Sequence, residues 1–160
     1  MPIVNADVAA VFNEIADLLE VQGANVFRVR AYRNAARMLS ELGRSVKTLL
    51  DQGEDLDKLP GIGPDLAGKI REVVTTGTCA QLERLRKELP PAITELLRIP
   101  GLGPQRVRAL HEELGIQTME QLHHAAVQGQ VRAVHGFGPK TEQRILQATA
   151  ARRQEGHRFK

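Results

Sequence analysis

The sequence predicts an all-α protein built as two small helical units. Three observations carry that reading. Apolar residues recur at i, i+3, i+4 and i+7 along nearly the whole chain. Nothing alternates with period two for long enough to make a strand. A glycine-containing string recurs three times between helical stretches, as an internal repeat. The chain has 160 residues and a mass of 17.6 kDa, enough for one ordinary domain or two small ones. With 42% hydrophobic and 26% charged residues it is too apolar for disorder and too charged for a membrane protein.

The elements follow in order. Val8, Val11, Phe12, Ile15, Leu18 and Leu19 form the first stripe, with Asn5 or Asp7 as its cap and Gly23 as its stop. A second helix is expected from about Phe27 to Leu42, with Phe27, Ala31, Ala35, Met38, Leu39 and Leu42 inward and Gly43 ending it. A short third helix follows Ser45. Thr78-Cys79-Ala80-Gln81 and Thr118-Met119-Glu120-Gln121 fit the capping box. The repeats are Leu59-Pro60-Gly61-Ile62-Gly63-Pro64, Ile99-Pro100-Gly101-Leu102-Gly103-Pro104 and, with His135 in place of proline, Val134-His135-Gly136-Phe137-Gly138-Pro139. An amphipathic stretch follows each of them: 66–74, 107–114 and 141–150. Proline disfavours helix at its own position and just before it, so the Pro90-Pro91 pair is the expected boundary between units 1–90 and 91–160.

Charge is patchy. Residues 1–90 carry 12 Lys/Arg against 13 Asp/Glu, and residues 91–160 carry 10 against 6, so the surplus behind the net +3 lies in the second unit. In the first unit Arg28, Arg30, Arg33, Arg37, Arg44 and Lys47 are interrupted only by Glu41. Such patches suit a surface that meets phosphate on one side. No apolar run reaches the roughly 20 residues of a membrane span, and Met1 to Asp7 lacks a signal peptide's basic start, so a cytoplasmic, nucleoid-associated setting is expected. The single Cys79 has no disulfide partner. Aromatic content of 3% argues against a stacking platform for single strands.

An apolar-Pro-Gly-apolar-Gly string between two helices is a helix-hairpin-helix, a motif that binds DNA without reading sequence. Its glycines permit positive φ in a tight turn and let the backbone approach a ligand closely. The proline after them suits the first turn of a helix. Free amides at the positive end of that helix then converge on one anion. Gly61 and Gly63, Gly101 and Gly103, and Gly136 and Gly138 are the expected phosphate contacts. Ile62, Leu102 and Phe137 are expected to pack back into the hairpins. Lys69, Arg71, Arg106, Arg108, Lys140 and Arg144 follow as basic neighbours.

At these motifs the chain resembles family X DNA polymerases, the polymerase beta family, in their bacterial form. Residues 26–36 (Val-Phe-Arg-Val-Arg-Ala-Tyr-Arg-Asn-Ala-Ala) resemble the helix of the family's 5′-phosphate pocket, which adds Arg28 and Tyr32, with Lys58 of the next string, to the expected DNA contacts. Residues 58–70 resemble its first hairpin and 97–104 its second. The resemblance covers about residues 5–155 and implies a lyase-type helical domain followed by a DNA-gripping subdomain. It implies binding of gapped or nicked DNA with a 5′-phosphate, by a monomer acting in DNA repair. It also implies a monovalent cation (Na⁺ or K⁺) on the carbonyls of Leu59 and Ile62, and on those of Leu97, Ile99 and Leu102. Nothing after Phe159-Lys160 corresponds to the family's palm with its metal-binding aspartates, so no nucleotide incorporation is expected of these residues, whether they are part of a longer protein or a stand-alone relative.

Lys69 aligns with the family lysine that forms a Schiff base with an abasic sugar phosphate in base excision repair. Asp65 stands where family lyases have a phosphate-binding lysine, and Phe27 where they have histidine; a carboxylate at 65 favours a protonated Lys69. Adjacent His123 and His124 point about 100° apart on a helix and cannot share a metal. Cys79 at a helix start favours a thiolate. Three functions stay open: a binding module for gapped DNA, an abasic-site lyase, and a protein-interaction module whose hairpins only pack helices.

Overall fold

Val8, Phe12, Ile15 and Leu19 come round to one side of a helix, and that side is buried to 1% exposure or less. The computed structural model describes residues 3–90 and 92–158, with side chains through Ala151, and no strand occurs among them. Helix α1 (Asn5–Val21) pairs with α2 (Val26–Glu41). Their seam holds an edge-on contact of Phe12 with Tyr32, ring centroids 5.6 Å apart. Arg33 reaches Asp17 at 2.8 Å across the same pair.

The caps differ from expectation. Val4, not Asn5 or Asp7, holds the cap position of α1, and its N–H donates to Asp7 Oδ2 at 2.9 Å. Asn5 instead clamps a distant loop, donating to the Arg44 carbonyl at 2.7 Å and accepting the Val46 N–H at 2.9 Å. Gly23 ends α1 with φ +77°. Helix α2, however, stops because Leu42 turns extended rather than because of Gly43. Phe27, expected inward, is 77% exposed, since burial of Val29, Tyr32, Ala36 and Leu39 fixes the phase of the helix and leaves position 27 outside it.

Helix α3 (Val46–Asp51) starts at the Ser45 cap. A 3-10 turn (Leu56–Lys58) then leads through the first hairpin into α4 (Pro64–Thr76), and α5 (Ala80–Glu88) follows. Thr78 does not cap α5: its hydroxyl donates to Glu83 at 3.0 Å, and a Glu72 carboxylate oxygen from α4 accepts the Ala80 N–H at 2.9 Å. Thr118 does cap its helix (Met119–Val127), accepting the Gln121 N–H at 3.1 Å, although the Gln121 side chain accepts from the Gln117 amide.

The chain divides into two units, Met1–Leu85 and Arg86–Lys160. The division falls inside α5, where the buried Leu82 and Leu85 give way to the exposed Arg86, Lys87 and Glu88. The sequence-based boundary at Pro90-Pro91 lies a few residues on, and Pro91 is outside the described residues. The second unit contains α6 (Ile93–Leu97), the second hairpin, α7 (Pro104–Leu114) and α8 (Met119–Val127). A 3-10 turn (Val131–Ala133), the third hairpin and α9 (Pro139–Arg158) complete it. No helix among the described residues is long and apolar enough to cross a membrane.

Candidate nucleic-acid interface

The three repeats fold into one local geometry. In each, the first apolar residue accepts the amide of the second: Ile62 N–H to Leu59 O at 3.1 Å, Leu102 to Ile99 at 3.0 Å, and Phe137 to Val134 at 3.1 Å. The first glycine sits at φ +76°, +89° and +88° (Gly61, Gly101, Gly136). That is a type II turn, with proline or His135 at its second position and glycine at its third. His135 therefore costs the third hairpin none of its shape. Ile62, Leu102 and Phe137 pack inward at 4%, 4% and 7% exposure.

The second glycine has a different task. Gly63 and Gly103 lie at φ −89° and −90°, ordinary extended backbone that any residue adopts. A Cβ built at Gly63, Gly103 or Gly138 would meet nothing within 4 Å. The fold therefore does not require glycine there. Its effect is to leave a bare surface at the start of α4, α7 and α9. The first intrahelical bonds are those of Ala67, Val107 and Glu142 to the second glycine's carbonyl. Ahead of them, and after a proline without an N–H, the amides of Asp65 and Leu66, Gln105 and Arg106, and Lys140 and Thr141 have no partner among the described residues. Each hairpin thus presents unpaired donors at the positive end of a helix dipole, next to a glycine with open space where a side chain would stand. It can hold an anion.

The basic residues split by role. Arg28, Lys58 and Lys140 are exposed. Arg106 ties the second and third hairpins together: it donates to the Gly101 carbonyl at 2.7 Å and the Gly136 carbonyl at 3.5 Å, with its guanidinium 5.6 Å from the Phe137 ring centre. Arg108 pairs with Glu112 at 3.0 Å on an exposed helix face. The carbonyls of Leu59 and Ile99 each accept one turn amide and keep a second lone pair, and the Leu97 carbonyl closes α6. No side-chain cation among the described residues bonds to these or to the carbonyls of Ile62 and Leu102.

Tyr32, expected among the DNA contacts, is only 4% exposed, because it falls on the buried face of α2. The Lys69 ammonium lies 2.8 and 2.9 Å from the two Asp65 carboxylate oxygens, and Tyr32 acts on its charge. Burial pushes the Lys69 amine down, but Asp65 and Tyr32 more than offset this, and the group is held above its ordinary value. The only other described residues around this small polar cleft of α4 and α5 are Pro64, Gly68, Glu72, Ala80, Gln81 and Arg84. Cys79 is buried, which pushes its thiol up, with the Glu72 charge adding to the effect, so the thiolate expected at a helix start is disfavoured.

Glu142 escaped the sequence reading. It is 1% exposed and accepts the Arg132 backbone N–H at 3.0 Å and the Arg132 guanidinium at 2.8 and 2.7 Å, binding the 3-10 turn to α9 across the third hairpin. Aligning the repeats would have found it, since the fourth residue after the second glycine is Ala67 and Val107 in the first two copies and an acid in the third.

A helix-hairpin-helix domain model matches residues 3–79, and a SAM-like helix-hairpin-helix tandem model matches residues 93–151. The DNA polymerase/3′-5′ exonuclease PolX of Bacillus subtilis is 37% identical over 153 residues, 96% of this chain. The chain belongs to the helix-hairpin-helix region of the family X DNA polymerases. The type-X family protein pol4 of Schizosaccharomyces pombe is 31% identical over 104 residues (64% of this chain). DNA polymerase lambda of Arabidopsis thaliana is 26% identical over 122 residues (76% of this chain). The chain spans 26%, 19% and 22% of the length of these three relatives. The tandem match takes in the third hairpin, in agreement with its shared geometry.

Proposed function

We propose that this chain grips the sugar-phosphate backbone of gapped or nicked duplex DNA, without regard to base sequence, as the DNA-holding part of a family X repair polymerase. The observation that carries the reading is the bare second glycine of each hairpin, unneeded by the fold, beside unpaired helix-start amides. Phosphates held this way carry no base information. In this reading the first hairpin takes the strand with the 5′-phosphate, with Arg28 and Lys58 beside it. The second and third take the primer side, with Lys140 and the cationic Arg106 near their amides. The carbonyls of Leu59 and Ile62, and of Leu97, Ile99 and Leu102, would hold a monovalent cation that bridges to a phosphate.

Titration by fluorescence anisotropy tests this. If about 4–6 phosphates are neutralised, log K against log salt should slope at roughly −4 to −5. A one-nucleotide gap with a 5′-phosphate should bind better than intact duplex, because only the gap exposes a terminal phosphate and permits a sharp bend. Equal affinity for both, or indifference to salt, would remove the reading.

The lyase alternative needs a neutral amine at Lys69, and the Asp65 carboxylate keeps that amine charged. Borohydride trapping with DNA bearing a 5′-deoxyribose phosphate should therefore give little adduct with the parent protein. Asp65→Asn should give more, and Asp65→Asn with Lys69→Ala none. Rapid trapping by the parent protein would show that the ion pair opens on binding.

A further inference from the structure

The third residue after the second glycine is Leu66 in the first hairpin, Arg106 in the second and Thr141 in the third. Each stands in the first turn of the helix that its hairpin opens, and only Arg106 is long and cationic. Its guanidinium turns back onto the hairpins. One end donates to the Gly101 carbonyl at 2.7 Å, a short charge-assisted bond, and the other reaches the Gly136 carbonyl at 3.5 Å. The Phe137 ring, 5.6 Å away, adds a cation–π contact. Gly101 and Gly136 are the positive-φ residues of the second and third turns, each two residues ahead of the bare glycine that precedes the free amides. Arg106 therefore joins turn to turn. Among the described residues no other hydrogen bond or ion pair links these two hairpins, and α9 packs chiefly on α8 rather than on α7.

We infer that Arg106 is a positioning residue: it fixes the spacing of the second and third hairpins, so that their amide clusters take two phosphates as one unit. The inference rests on the DNA reading above. Once one of two rigidly spaced sites holds a phosphate, the other meets the next at a high effective concentration, and a loose pair loses that gain. A planar guanidinium with two separate NH₂ ends can hold two carbonyls at a set distance, whereas an ammonium on a flexible stem cannot. Because both ends are engaged by backbone oxygens, the side chain acts through the hairpins and not as a phosphate contact of its own. Neither Leu66 nor Thr141 can make such a tie, so it belongs to the second and third hairpins alone.

A double-mutant cycle in affinity for a gapped duplex with a 5′-phosphate tests this, run on the full chain. Its members are Gly103→Ser and Gly138→Ser, since a Cβ at either position meets nothing within 4 Å. In the parent each change should cost about tenfold and the pair about thirtyfold, less than the product, because losing either site already forfeits the shared gain. In an Arg106→Ala background the two costs should multiply, and Arg106→Ala alone should weaken binding about tenfold. Arg108→Ala, which removes one exposed charge, should cost at most about fivefold and leave the coupling intact. Arg106→Lys keeps the charge without the fork, so it should keep the salt slope of the parent and still lose the coupling. Urea unfolding checks each variant, and if Arg106→Ala does not fold, Arg106→Lys carries the same comparison. Costs that multiply in the parent, or an Arg106→Lys protein with the parent's coupling, would overturn the inference alone. A parent protein whose binding ignores salt, or is equal for gapped and intact duplex, would overturn the DNA reading and the inference with it.

Discussion

Replacing Gly63 and Gly103 together by serine is expected to leave the protein at least as stable as before and to lower its affinity for gapped DNA by about a hundredfold. Both glycines occupy helix cap positions with extended backbone and open space where a Cβ would stand. Serine is a better cap than glycine, by a few tenths of a kcal/mol. Its hydroxyl would accept from the amides of Asp65 or Leu66 and of Gln105 or Arg106, the donors a phosphate needs, and its Cβ would stand in the path of approach. Losing one charge-assisted phosphate contact at each hairpin, roughly 1.5 kcal/mol apiece, gives about tenfold per site. The first glycines should behave in the opposite way. Gly61→Ala and Gly101→Ala force a side chain into the left-handed region and should cost about 1–2 kcal/mol of stability each. Urea titration and DNA anisotropy on the same samples separate the two classes. A serine double variant that binds DNA normally would mean the bare surface serves nothing.

Glu142→Ala should destabilise the second unit by about 2–3 kcal/mol, read from urea unfolding. The change leaves the Arg132 amide without an acceptor and the guanidinium without its carboxylate. The figure stays below the ~3–5 kcal/mol of a fully buried pair because the Arg132 side chain is 55% exposed and water can replace the carboxylate there. Glu142→Gln keeps an acceptor and should lose less. Burial raises the Glu142 carboxyl, but the Arg132 bonds and charge outweigh it and leave the group below its ordinary value of 4.5. A depressed carboxyl stabilises the folded state fully above the unfolded value, and that contribution disappears as pH falls through the folded one. The parent should therefore lose stability on acidification below about pH 4.5, and the alanine variant should lose less over the same window. Identical acid profiles would contradict the role given to this carboxylate.

Much of this was legible in the sequence because helices and glycine turns are local. The stripes at Val8–Leu19 and after each hairpin, the Ser45 and Thr118 caps and the inward Ile62, Leu102 and Phe137 depend on neighbours within a turn or two. What stayed hidden depends on partners far along the chain. Asn5 looks like a cap and proves to be a clamp on Arg44 and Val46. Phe27 looks like core, yet the phase of α2 is set by Tyr32 packing on Phe12 of another helix. The two glycines of a hairpin look equivalent, and only their φ angles separate the one that makes the turn from the one that clears the surface. Glu142 reads as an ordinary surface acid until Arg132 is seen across the hairpin.

Amide chemical shifts in a ¹⁵N-labelled sample titrated with a gapped duplex test the central claim most directly, since they report on the donors themselves. The largest changes should fall on the amides of Gly63, Asp65 and Leu66, on those of Gly103, Gln105 and Arg106, and on those of Gly138, Lys140 and Thr141. They should fade as salt is added, in step with the loss of affinity. Saturable binding that leaves these nine amides unmoved, with the shifts gathered on other helix faces, would show that DNA is held elsewhere and that the hairpins only join helices.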